Sequence, residues 1–193
     1  GIGRALSQNI ASLGGRVVMI ARDKEKLGET LTTMDSFSNH IIIPFDLLNM
    51  NNYKEIFHIL KNHKIILDGL VHCAGFADIL PLRIMNRDKA LKLFDIHYFA
   101  FIELVKHYAK KGISNGGSIV GISAINAHSP KKCMTAYAAA KSAVESACKT
   151  LALELSEKSI RINSVVVGGV ETAMAESADK VIAAVETSYE NPV

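Results

Sequence analysis

The feature that most constrains this chain is an alternation of short apolar runs with longer helical patterns. Val17 to Ile20, Ile41 to Pro44, Gly69 to His72, Ser118 to Ile122 and Arg161 to Val166 are short and mostly rich in apolar, β-branched side chains, and they read as strands apolar on both faces. Strands of that kind need cover on both faces. Between them, Arg4 to Leu13, Lys24 to Met34, Asn51 to Asn62, Arg87 to Lys111 and Tyr137 to Ser156 carry helical periodicity, with a break allowed in the fourth. Gly14-Gly15, the run Ser114-Asn115-Gly116-Gly117 and Gly168-Gly169 punctuate the joints. A βαβα order predicts an α/β fold, a doubly wound parallel sheet between two helical layers. Ala173 to Val185 reads as a further helix over the sheet edge. At the front, Gly1-Ile2-Gly3 opens straight into a helical pattern with no strand ahead of it, although a glycine-rich phosphate loop needs one.

Composition narrows the classes. With 49% apolar and 21% charged residues over 193 positions, the chain can build a core and is not disordered. The sequence shows no internal repeat or linker, so residues 1–193 read as one domain. A net charge of +3 without a basic stripe predicts no nucleic-acid partner. The longest apolar runs fall short of the ~18 residues of a membrane span, so no membrane role is expected. Three cysteines, Cys73, Cys133 and Cys148, without metal-ligand spacing point to reduced thiols and a cytoplasmic protein. The histidines at 40, 58, 63, 107 and 128 show no paired-ligand spacing, and no metal site is expected.

Chemistry enters with Tyr137-Ala138-Ala139-Ala140-Lys141, which puts a tyrosine and a lysine on one helical face. Alone such a pair is common. Its setting is specific: Gly117-Ser118-Ile119-Val120-Gly121-Ile122-Ser123 upstream, Ile160-Arg161-Ile162-Asn163-Ser164-Val165 with Gly168 and Glu171-Thr172 downstream, and Gly1-Ile2-Gly3, Asp46-Leu47 and His72-Cys73-Ala74-Gly75 earlier. In this order these motifs resemble the short-chain dehydrogenase/reductase family, and within it the 3-oxoacyl-carrier-protein reductase type. The resemblance runs from residue 1 to about 174. It implies a Rossmann-like fold of about seven parallel strands, with a first strand before Gly1 and a last one beyond Val193. On that reading the sequence is an excerpt of a longer protein, incomplete at both ends.

The resemblance also assigns roles. Gly1, Ile2 and Gly3 match the end of a TGxxxGIG turn, where glycine lets the backbone approach a pyrophosphate at a helix N-terminus. Arg22, with no acid at the strand end before it, suits the 2′-phosphate of NADP better than the ribose of NAD; the other reading is a solvated loop charge. Asp46 matches an adenine-contacting acid, and Ala74 and Gly75 match the end of an NNAG motif whose asparagines are here His72 and Cys73. Cys73 reads as a small buried thiol. Gly168 and Thr172 match residues beside the nicotinamide, with Val167 in place of a proline. Tyr137 is the implied acid/base. A phenol of pKa about 10 is a poor base at neutral pH, and Lys141 is expected to lower that pKa and to bind the nicotinamide ribose.

Two positions depart from the family pattern. The catalytic serine falls by ungapped alignment on Ala124, with Ser123 just before it; alternation along a strand would turn Ser123 away, unless a shift of one residue returns it to the site. His97 stands where the family has an asparagine that holds a water relay; it could hold a water, silence the relay, or simply be satisfied in a helix kink. The resemblance thus implies an NADP(H)-dependent oxidoreductase interconverting a small-molecule ketone and a secondary alcohol, as a homodimer or homotetramer. The alternative is a dinucleotide-binding sensor or scaffold with weakened or lost catalysis. Met174 to Val185 is expected to belong to a substrate lid.

Overall fold

The computed structural model of the chain describes residues 1–35 and 39–170. Thr172 and the expected lid and edge helix lie outside the described residues. All five described strands run parallel. β1 (Val18–Ala21) pairs with β2 (Ile41–Pro44), and a second ladder has the order β3 (Leu67–His72), β4 (Ser114–Ala124), β5 (Ile160–Val167).

Alternation along β1 and β2 explains the helical layers. The paired Met19 and Ile42 face one side. There they meet Ala11 of α1 (Ile2–Ser12), Leu27 of α2 (Lys24–Thr32) and Met34. The intervening Val18, Ile20, Ile41 and Ile43 face the other side. They join Tyr53, Ile56, Phe57 and Leu60 of α3 (Tyr53–Asn62), together with Leu67 and Leu70 of β3. That second cluster binds the two ladders into one body. On β4 and β5, Ile119 and its partner Ile162 pack with Ile160 against Phe101 and Val105 of α5 (Ala100–Tyr108) and Val144 and Cys148 of α6 (Thr135–Glu154). On the opposite face of β5, Arg161, Asn163 and Val165 are exposed.

The break allowed in the helix over Arg87 to Lys111 is present: α4 (Arg87–Phe94) and α5 are joined by one π-helical turn, Asp95–Phe99. One difference from the sequence reading has a local cause. β4 begins at Ser114, four residues earlier than expected. Gly116 and Gly117 take φ of +115° and +117°, and the pairing with β3 slips between Leu67 and Gly69. Tyr108 anchors this bulge by donating its hydroxyl to the Gly116 carbonyl at 2.7 Å. Among the described residues, no helix is long and apolar enough to cross a membrane.

A Cβ at Gly117 would run into the Asp68 carbonyl and the Tyr108 hydroxyl, on a backbone that L-residues avoid. Gly117→Ala is therefore expected to cost roughly 2–4 kcal/mol of stability, read as a lower urea midpoint at unchanged slope.

Candidate active site

In a parallel sheet every strand ends at the same edge, and ligands of such sheets bind just beyond those carboxyl ends. The predicted residues fall there. Arg22 follows β1 and Asp46 follows β2. Ala74 and Gly75 follow β3, and Gly168 follows β5. Arg22, Asp46 and Gly168 are exposed, while Ala74 and Gly75 are half-buried. Gly1 and Gly3 lie at the start of α1, whose first turn has no side-chain cap, so its N–H groups are available to an acceptor. A Cβ at Gly3 would sit 3.5 Å from that of Cys73, which sets this turn beside the end of β3.

Helix α6 brings the tyrosine and lysine to the same edge. A Cβ at Gly121 would lie 2.8 Å from Val144 and 3.2 Å from the Cys148 sulfur, so the bare glycine lets α6 lie close on β4. Tyr137 and Lys141 then fall at the carboxyl end of β4, both buried. Lys141 Nζ donates to the Ile122 carbonyl at 2.8 Å and stands 5.7 Å from the centre of the Tyr137 ring. Burial lowers the Lys141 pKa to about 8. The expected depression of the Tyr137 pKa is not what the structure gives: burial raises it. The physical reason is that desolvation of the phenolate dominates while the ammonium is engaged by a backbone carbonyl.

Ser123 reaches the backbone of this pair, its hydroxyl 3.4 Å from the Lys141 carbonyl, and is not in the apolar cluster of Tyr137. It is fully buried, and its hydroxyl donates to Glu145 Oε1 at 2.5 Å. Strand alternation puts Ala124 there instead, packed in one apolar cluster with Tyr137, Leu80, Leu93 and Met134. His97 is brought to Tyr137, its ring edge-on at 5.3 Å between centroids. It sits in the π turn, fully buried, with Nε2 donating to the Phe76 carbonyl at 2.8 Å. That bond makes Nε2 the protonated nitrogen and leaves Nδ1 a bare acceptor, with no partner among the described residues. The ring fills the space against Gly75, where a Cβ would collide with it. His72 answers from β3: its Nε2 donates at 2.9 Å to the carbonyl of Ile96, inside the π turn.

The two histidines therefore stitch the end of β3 to the π turn in both directions. Sequence reasoning found His97 but missed this pairing, as it missed Glu145. The latter's signal was its place one helical turn beyond Lys141. Burial, and to a lesser degree the Lys141 charge, hold His72 neutral down to about pH 4 and His97 down to about pH 3. Among the described residues no group of His, Cys, Asp and Glu could hold a metal ion.

The pH dependence follows with its sign. Above the ordinary histidine value of 6.5 neither state holds these protons; below it the unfolded chain takes them up and the folded chain does not. Stability is expected to fall as pH drops from about 6.5 to about 4, at roughly 1.4 kcal/mol per pH unit for each histidine. The double variant His72→Asn/His97→Asn should flatten that slope in urea titrations at stepped pH.

With the geometry in place, comparison with known proteins is informative. The family profile described as Enoyl-(Acyl carrier protein) reductase matches residues 1–191. The chain is 31% identical over 177 residues to carbonyl reductase family member 4 of Xenopus laevis, covering 90% of this chain and 73% of that protein. It is 29% identical to the 3-oxoacyl-[acyl-carrier-protein] reductase of Mus musculus, with the same coverage. Among solved structures it is similar to a 4-hydroxyisoleucine dehydrogenase mutant complexed with NADH and succinate, at a TM-score of 0.84 and 25% identity, over 97% of this chain and 78% of that one.

Proposed function

This chain belongs to the short-chain dehydrogenase/reductase family, and we propose that within it the chain is an NADP(H)-dependent ketone/secondary-alcohol oxidoreductase with Tyr137 as its acid/base. At family level it is an NAD(P)-dependent oxidoreductase acting between CH–OH and C=O. The observation that carries the finer reading is the burial of Tyr137 and Lys141 together at the carboxyl end of β4.

The residues fit a nicotinamide dinucleotide. The uncapped N–H groups of α1 suit a pyrophosphate beside Gly1, Ile2 and Gly3. Asp46, Ala74, Gly75, Lys141, Gly168 and Thr172 are the remaining contacts we assign. When bound, the dinucleotide supplies hydride to the carbonyl carbon or accepts it from the alcohol. Arg22 favours the 2′-phosphate of NADP for a specific reason. It is exposed at the end of β1 and has no ion pair among the described residues. The adjacent acid, Asp23, is turned away into α2, where it accepts the Lys26 N–H at 3.0 Å and pairs with Lys26 Nζ at 3.3 Å.

Burial keeps the Tyr137 phenol protonated at neutral pH, the form that can donate to a carbonyl oxygen as the carbon is reduced. The proton passes from Oη to that oxygen, and the alcohol returns it in the oxidative direction. Lys141 sets a positive charge beside the phenolate that remains. Ala124 offers no hydroxyl, so the substrate oxygen lacks the second donor of the family pattern and turnover is slow. The substrate is a small carbonyl compound or alcohol. The assembly is a homodimer or homotetramer through the outer faces of α5 and α6, where Ala143 is half-buried and Phe99, at the end of the π turn before α5, is exposed.

Two outcomes test this reading on the full-length protein. In fluorescence titrations NADPH should bind roughly tenfold more tightly than NADH, and Arg22→Ala should remove the preference by losing about 1.4 kcal/mol for NADPH alone. Following NADPH oxidation at 340 nm over a panel of ketones, Tyr137→Phe should abolish turnover with binding retained. Ala124→Ser should raise turnover on the order of 10–100-fold by restoring a donor to the substrate oxygen. Binding without turnover in either the native or the Ala124→Ser protein would instead favour the sensor reading.

A further inference from the structure

Two ionisable side chains close to this site take no part in the chemistry above. Glu145 lies on α6, one turn beyond Lys141, with its side chain 12% exposed. His128 lies on the connection between β4 and α6, with its side chain 55% exposed. A carboxylate can only accept. His128 Nε2 therefore donates to Glu145 Oε2 at 2.9 Å and to Oε1 at 3.1 Å, while the buried Ser123 hydroxyl donates to Oε1 from the end of β4. Glu145 thus gathers the end of β4, the middle of the connection and the body of α6 onto one carboxylate.

The connection needs such a tie. Helix α6 starts without a side-chain cap: Met134 stands in the cap position and makes no capping bond. The first turn, which holds Tyr137, is therefore positioned by whatever holds the connection. That same connection carries Met134 into the Tyr137 cluster. It also accepts the Leu80 N–H on the Cys133 carbonyl at 2.7 Å. Its other side-chain bond, Asn126 Nδ2 to the Met134 sulfur at 3.4 Å, is a weak one and stays within the connection. Lys131 and Lys132 make no ion pair among the described residues.

We propose that His128, Glu145 and Ser123 form a latch that sets the β4–α6 connection and, through it, the position of Tyr137. They act as positioning residues and touch no reacting atom. The importance of Tyr137 rests on the function proposed above, but the latch itself can be tested without turnover, so the two can fail separately.

The test uses the full-length protein labelled with 13C-tyrosine, the Tyr137 ring resonance being assigned by its loss in Tyr137→Phe. His128→Ala, at an exposed position, leaves the core intact. It should speed hydrogen exchange at amides 128–138 by at least tenfold, leave amides 144–154 unchanged and shift the Tyr137 resonance. His128→Gln, which keeps an N–H donor at similar reach, should restore both. Glu145→Gln should loosen the same amides. Unchanged exchange in His128→Ala, exchange raised equally along all of α6, an unmoved Tyr137 resonance, or failure of His128→Gln to restore it would overturn the latch.

Discussion

The close approach of α6 to β4 is the contact on which the rest of this structure depends. It is permitted by the missing side chain at Gly121, against which Val144 and Cys148 pack. It is then locked by polar bonds that work only at that separation: Lys141 to the Ile122 carbonyl, and Ser123 to Glu145. Moving α6 outward would break the bonds of a buried ammonium and a buried hydroxyl as well as the apolar packing. The same contact sets Tyr137 at the carboxyl edge of the sheet. Fold and site are thus one arrangement, with no separate scaffold.

The second constraint is the pair of imidazoles between β3 and the π turn. Where the family pattern has amides, this chain has His72 and His97, each neutral and each donating to a backbone carbonyl of the other's segment. A π turn leaves backbone groups outside the regular helical ladder, and the Ile96 carbonyl is satisfied from β3. The arrangement has a cost. His97 Nδ1 is buried without a partner among the described residues, and the ring demands glycine at position 75. This side of the site is therefore filled, whereas Arg22 and Asp46, at the ends of β1 and β2, are exposed.

Polar groups at the site divide by what their burial allows. The carboxylate of Asp23 is held in its ionised form by the Lys26 N–H and is committed to capping α2. Tyr137, buried among apolar side chains, keeps its proton. Lys141, also buried, titrates closer to neutrality than an exposed lysine. A proton donor beside a cation that is itself only modestly stabilised is the arrangement on which the proposed acid/base role of Tyr137 rests.

Much of this was legible in the linear order of residues. Short apolar runs alternating with helical ones point to a parallel sheet between helices, although β5 turns the polar Arg161 and Asn163 to one exposed face. The parallel sheet in turn sends Arg22, Asp46, Gly75 and Gly168 to one edge. Tyr137 and Lys141 share a face because four residues make about one helical turn. Other features were decided only by the tertiary structure. Strand alternation indicated that Ser123 would turn away from the site if the register held, but its bond to Glu145 depended on that residue arriving from α6. The direction of the Tyr137 pKa depended on how much water its surroundings exclude, which spacing along a chain does not specify. The π turn and the two-way histidine bonds arose from segments far apart in sequence, where the imidazole tautomer is set by whichever carbonyl the fold presents.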